Sequence, residues 1–109
     1  MPLTPLTFDV LLALADEARH GYGILKEIEA RAGEGSAPST GALYLALQRM
    51  EADGLIEEDA GRRPAGDDAR RRYYRLTRAG KQVAEAESRR LSDLVAVARR
   101  KKLLAGGRA

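Results

Sequence analysis

The apolar positions of the chain group into four helical stretches and two short alternating ones. A first helix opens at Thr4-Pro5, with Thr as cap and Pro at the first helical position. It is expected to run through Phe8, Val10, Leu11, Leu12 and Leu14 to about Asp16. Apolar side chains cover most of its circumference, which predicts burial on several sides. Glu17-Ala18-Arg19 reads as a turn. A second helix opens at His20-Gly21-Tyr22-Gly23, places Leu25, Ile28 and Ala32 on one face, and ends at Gly33 and Gly35. Ser36-Ala37-Pro38 is the turn before a third helix. There Ser39 is the N-cap, because its hydroxyl can accept from a first-turn N–H that otherwise lacks a partner. Gly54 is the stop, since Gly enters the left-handed C-cap conformation cheaply. Between them Leu43, Leu47 and Met50 line one face; Ala42, Leu45, Arg49 and Ala52 lie on another, bordered by Tyr44 and Gln48.

Leu55 to Asp59 reads as a short strand and Ala60 to Ala69 as a turn-rich loop with two Gly, one Pro and two Asp. Arg71 to Leu76 is the return strand, its alternation sending Tyr74 and Leu76 inward and Arg71, Tyr73 and Arg75 outward. Thr77 caps a last helix striped by Val83, Ala84, Glu87, Leu91, Leu94, Val95 and Ala98. Taken to Leu104, that helix is roughly 40 Å long at about 1.5 Å per residue. A small domain cannot cover its distal half, so exposed Leu91, Leu94 and Val95 predict a second chain.

Two helices with a turn between them, followed by strand, basic loop and strand, are the order of a winged helix. The expected fold is therefore mainly α with a small β-hairpin: a winged helix-turn-helix plus a long C-terminal dimerisation helix. Residues 1–76 would form the DNA-binding part and residues 77–109 the dimerisation helix and basic tail, in one compact unit. Hydrophobic content of 44% suffices for a small core. The absence of Cys removes thiolate chemistry and Cys-based zinc sites, and a single His removes most other metal sites. No nucleophile–base pair is visible, so an enzyme is not expected, and no residue set calls for a cofactor. The longest apolar run, Val10 to Ala15, is too short to span a bilayer, and no basic region precedes it as in a secretory signal. A cytoplasmic location without membrane contact is the expectation.

Charge changes this picture most. Residues 1–59 hold four Arg/Lys against eleven Asp/Glu, a net −7, whereas residues 60–109 hold fifteen against five, a net +10. The basic half contains the wing, where a winged helix meets phosphate. A third helix with a small-residue face carrying Tyr, Gln and Arg could enter a DNA major groove. The candidate DNA contacts are Ser39, Thr40, Tyr44, Gln48 and Arg49 on that helix and Arg62, Arg63, Arg71, Arg72 and Arg75 in the wing. Tyr44 either bonds a phosphate or fills the seam between second and third helices. Gln48 and Arg49 either read base edges or stand in solvent. Arg71, Arg72 and Arg75 either touch phosphate or pair with Glu57, Glu58 and Asp59 across the hairpin. His20 reads as a structural helix-start residue, with a pH switch as its other reading. Glu57-Glu58-Asp59 and Asp67-Asp68 do not make a metal site, because adjacent carboxylates on a strand face opposite ways. Arg99 to Lys102 reads as a solvated helix end suited to the helix dipole, with direct DNA contact as its other reading.

His20-Gly21-Tyr22, Gly41-Ala42-Leu43-Tyr44 through Arg49-Met50-Glu51-Ala52-Asp53-Gly54-Leu55-Ile56, and Arg71-Arg72-Tyr73-Tyr74-Arg75-Leu76-Thr77 with Gly80 occur in that order. In this combination the chain resembles the PadR family of bacterial winged-helix transcription regulators, over about residues 4–98, and its length resembles the family's short subgroup. The resemblance implies a homodimeric repressor on an operator in double-stranded DNA, with the last helix packed against the partner's first, and the two-fold symmetry of such a dimer predicts an inverted-repeat operator. Phe8, Leu11, Val83, Glu87, Leu91, Leu94, Val95 and Ala98 are the dimer residues it suggests. A small-molecule effector is compatible with the family, but no residue identifies one, and without Trp the aromatic drug-stacking pore of some members does not carry over. The alternative is a winged-helix module serving protein–protein or RNA contacts.

Overall fold

The computed structural model describes residues 3–33, 35, 37–62 and 71–105. In chain order the elements are α1 (Pro5–Ala13), β1 (Arg19–His20), α2 (Gly21–Ala32), α3 (Thr40–Ala52), β2 (Ile56–Glu58), a 3-10 turn (Ala60–Arg62), β3 (Tyr73–Leu76) and α4 (Arg78–Arg100). Each α-helix starts on a side-chain acceptor that satisfies a first-turn N–H. Thr4 accepts from Thr7, the Nδ1 of His20 from Gly23, Ser39 from Ala42 and Thr77 from Gly80, at 3.0–3.1 Å. His20 is thus the cap of α2, as its structural reading required.

The three strands form an antiparallel sheet in the order β1-β3-β2, with Glu57 opposite Arg75 and His20 opposite Tyr73. Only the β2–β3 hairpin was expected; Arg19 lies in a strand and not in a turn. The reason is that α1 stops early, at Ala13 and not near Asp16. The Nε of Arg19 donates to the carbonyl of Ala13 at 2.8 Å, satisfying a helix-end carbonyl and bringing the chain back to the edge of β3.

The core joins Val10, Leu11, Ala13 and Leu14 of α1 and its end, Ile24 and Ile28 of α2, Leu43, Leu47 and Met50 of α3, Ile56 of β2 and Tyr74 of β3. The α3 stripe is as expected. In α2 the core face is shifted: Ile24 and Ile28 are buried, Leu25 is half-buried and Ala32 is exposed. The strands are shorter than expected, and α4 ends at Arg100 before reaching Leu104, with Lys102 in a left-handed turn (φ 64°).

The joint between α3, the hairpin and α4 fixes how the wing sits. Gly54, at φ +78°, reverses the chain after α3. The Thr77 N–H donates to the Leu55 carbonyl at 3.1 Å, and the Thr77 hydroxyl donates to the Gly54 carbonyl at 2.5 Å. Gly80 lies against the same Leu55 carbonyl, so closely that a Cβ there would overlap it. These contacts tie the start of α4 to the end of α3.

Beyond that joint α4 projects, and the molecule measures 51 × 29 × 25 Å. Val83 and Ala84 pack on the core, Leu91 and Ala98 are half-buried, and Leu94 and Val95 are 52% and 38% exposed. Glu87 is nearly buried, and a hydrogen bond from Arg90 (Nη2 to Oε2, 2.6 Å) holds its carboxyl below the ordinary carboxylate range. Phe8 is half-buried against the core. Leu11 differs from the expectation: it is fully enclosed in its own domain, because α1 packs on α2, α3 and α4 at once. Leu12, 37% exposed, is the apolar residue that α1 leaves at the surface. No helix among the described residues is long and apolar enough to cross a membrane.

Candidate nucleic-acid interface

The third helix presents its outward face without obstruction. Its core stripe faces inward, which leaves Thr40, Gly41, Tyr44, Leu45, Gln48 and Arg49 exposed. Ser39 is occupied as the cap, its hydroxyl accepting from the Ala42 N–H at 3.1 Å. From Ser39 to Met50 the helix carries no carboxylate, so nothing on this stretch repels a polyanion; Glu51 and Asp53 come only at its end.

Beside the first turns of α3 lies an open cleft of about 360 Å³, lined by His20, Gly21, Tyr22, Tyr44, Arg71, Arg72 and Tyr74. It exists because α2 starts with a glycine. The Tyr44 ring rests where a side chain of residue 21 would be, and a Cβ on Gly21 would collide with its phenol. Tyr44 therefore fills the seam between the helices and still stays 48% exposed, so its two sequence readings are not exclusive. His20 sits behind it, stacked on Tyr22 (centroids 6.4 Å apart, 8° between planes) and edge-on to Tyr73 at 5.1 Å. Arg71 Nη1 lies 3.2 Å from the Nε2 of the same imidazole.

Among the described residues, the wing arginines Arg72 and Arg75 are engaged with carboxylates. Arg72 contacts Glu58 at 3.2 Å and Glu51 at 3.3 Å while lying over the Tyr74 ring, 5.4 Å from its centroid. Burial pushes the Tyr74 phenol above its ordinary pKa, and the Arg72 charge opposes that rise. Arg75 contacts Glu57 at 2.8 Å and Asp59 at 3.6 Å. It lies away from the cleft, in the groove beside α4 with Leu12, Asp59 and Leu76, because β3 leads from the cleft toward α4. These pairs are half-exposed, so each contributes little to stability. Arg63 and the Asp67-Asp68 pair lie outside the described residues, as does the side chain of Arg62.

The structure thus brings Tyr44, Arg71 and Arg72 together around the cleft and leaves Thr40, Gln48 and Arg49 exposed on the same helix as Tyr44. It adds two residues that were not selected from sequence. Tyr22, 54% exposed, forms the lip of the cleft, and Gly21 gives Tyr44 its seat. A glycine at the first position of a helix is a weak helix former, and that cost was the available signal of a close approach. Among the described residues no cluster of His, Asp or Glu could hold a metal ion.

Residues 10–86 match the family described as "Transcriptional regulator PadR-like family". Among curated proteins, the transcriptional regulator Rv3488 of Mycobacterium tuberculosis is 34% identical over 85 residues, covering 78% of this chain and 74% of that protein. The chain spans only 22% of an uncharacterised 37.1 kDa transposon protein of Streptomyces fradiae, to which it is 40% identical over 85 residues. Among solved structures, a PadR family transcription regulator from Clostridium difficile superposes with a TM-score of 0.75 at 28% identity, covering 89% of this chain and 97% of that one. Bacillus subtilis PadR in complex with operator DNA shares the fold, with a TM-score of 0.65 at 22% identity over 76% of this chain and 46% of that one.

Proposed function

This chain belongs to the PadR-like family of transcriptional regulators, and we propose that it acts as a homodimeric repressor on an inverted-repeat operator. The observation that carries the reading is the exposed, carboxylate-free face of α3 from Ser39 to Arg49, set beside a cleft that offers Tyr22, Tyr44, Arg71 and Arg72. In this reading α3 enters the major groove, Gln48 and Arg49 meet base edges, and the cleft and wing meet phosphate. The wing loop supplies Arg62 and Arg63 as its electrostatic anchors. Arg72 and Arg75 contribute less, because reaching phosphate means giving up carboxylate partners. Bacillus subtilis PadR, which shares this fold, forms a complex with operator DNA.

The dimer part of the reading rests on α4. Leu94 and Val95 are exposed on a helix that projects beyond its domain, with Leu91 and Ala98 half-buried beside them. A second copy covering them with its own α1 and α4 would bury this stripe, and Leu12 in the groove between α1 and α4 would meet it. Val83 and Glu87 stand nearer the core and would frame that contact, with Phe8 at its edge. Two recognition helices related by a two-fold axis then require a symmetric site.

Selection of bound fragments from random genomic DNA tests this function. The expected result is an inverted repeat whose half-sites are about one helical turn apart. Recovery of fragments without a shared motif would refute sequence-specific regulation and favour a module for protein or RNA contacts.

A further inference from the structure

We propose that Leu45 is a specificity-determining residue that packs against the C5 methyl group of a thymine. This inference rests on the reading that α3 enters the major groove. Leu45 is 51% exposed, although the same helix buries Leu43 and Leu47 completely or almost so. It stands at the centre of the outward face, between Gly41, one turn before it, and Gln48, about 4.5 Å further along the axis. Gly41 has no side chain, and a Cβ built on it would meet nothing within 4 Å, so this position leaves Leu45 open to an approaching surface.

The position also suits the role. Leu45 is the sixth residue of α3, within its N-terminal half, and recognition helices contact bases chiefly from that half. The carboxylates Glu51 and Asp53 sit at the other end, so phosphate repulsion tilts the helix in by its N-terminus. On the floor of a major groove, the thymine methyl is the one strongly apolar group that a base presents. A leucine driven against polar base edges would lose water contacts without return, whereas against a methyl it removes apolar surface from water on both sides. Leu45 thus selects thymine at the base pair next to the one that Gln48 reaches.

The test uses the operator recovered by selection, with each thymine replaced singly by deoxyuridine, which removes only the methyl group. Binding is titrated for the unaltered protein and for Leu45→Ala, whose fold is checked by circular dichroism; Leu45→Met serves as a second variant that keeps an apolar tip. The expected result is one thymine per half-site whose methyl removal weakens the unaltered protein about three- to fivefold. That penalty vanishes in Leu45→Ala and survives in Leu45→Met. The proposal is overturned if no deoxyuridine position matters, or if the penalty is the same in Leu45→Ala, while selective binding persists; the regulator reading would then still stand. If the unaltered protein shows no selective DNA binding, both fall.

Discussion

The phenol of Tyr44 on α3 rests on the backbone of Gly21 at the start of α2, in the space a side chain would need. This single contact places an exposed tyrosine of α3 beside the capped N-terminus of the preceding helix. It also closes one wall of the cleft that holds Arg71 and Arg72.

A methyl group at residue 21 should therefore act through Tyr44. Gly21→Ala is expected to push the ring out of its seat, with a small effect on stability, since the colliding atoms are the far end of a side chain, and a clear loss of DNA affinity. In a Tyr44→Ala background the same substitution should change affinity little. A double-mutant cycle by fluorescence anisotropy checks this; additive losses would show that the two residues act separately.

Gly80 is different, because its neighbour is the Leu55 carbonyl and backbone cannot swing aside. Gly80→Ala is expected to destabilise by about 1–3 kcal/mol in urea unfolding. Gly41→Ala, in open space on a helix, should instead stabilise by about 0.5–1 kcal/mol. Equal midpoints for the two variants would contradict the packing described at the joint of α3 and α4.

How much of this could be read from sequence depends on the kind of signal. The caps Thr4, Ser39 and Thr77, the Gly54 stop and the Leu43, Leu47, Met50 stripe are local patterns, and the structure follows them. The strand Arg19–His20 left no pattern, because two residues are too few for alternation and their pairing depends on β3, more than fifty residues away. Leu11 was expected at the dimer contact and Leu12 was not, since periodicity cannot rank positions on a helix that is apolar nearly all round. For Arg71, Arg72 and Arg75 the sequence left phosphate and carboxylate partners equally open. The structure gives Arg72 and Arg75 their carboxylates, because strand register puts Glu58 and Glu57 within reach.

The α4 stripe makes a prediction about association. Burying each leucine contributes about 1.5–3 kcal/mol, so replacing Leu91 and Leu94 by Glu should convert a dimer to monomer. Light scattering checks it. An unaltered protein that is already monomeric at micromolar concentration would remove the proposed dimer.

The wing makes a prediction about salt. Arg62→Ala with Arg63→Ala should weaken specific and non-specific DNA alike and flatten the slope of log affinity against log salt by up to about 2 per subunit. Arg72→Ala should change the slope less, since its guanidinium already has Glu58 and Glu51. Titrations at several salt concentrations separate the two. A wing double variant with an unchanged slope would move the electrostatic anchor elsewhere, to Arg99 to Lys102 first.

The most direct measurement of the central claim is a hydroxyl-radical footprint on the selected operator. Two copies of α3 in successive major grooves should leave two matching protected patches centred about one helical turn apart, roughly 34–36 Å, related by the symmetry of the site. A single undivided patch, or uniform protection without a centre of symmetry, would contradict a two-fold regulator that reads its operator through α3.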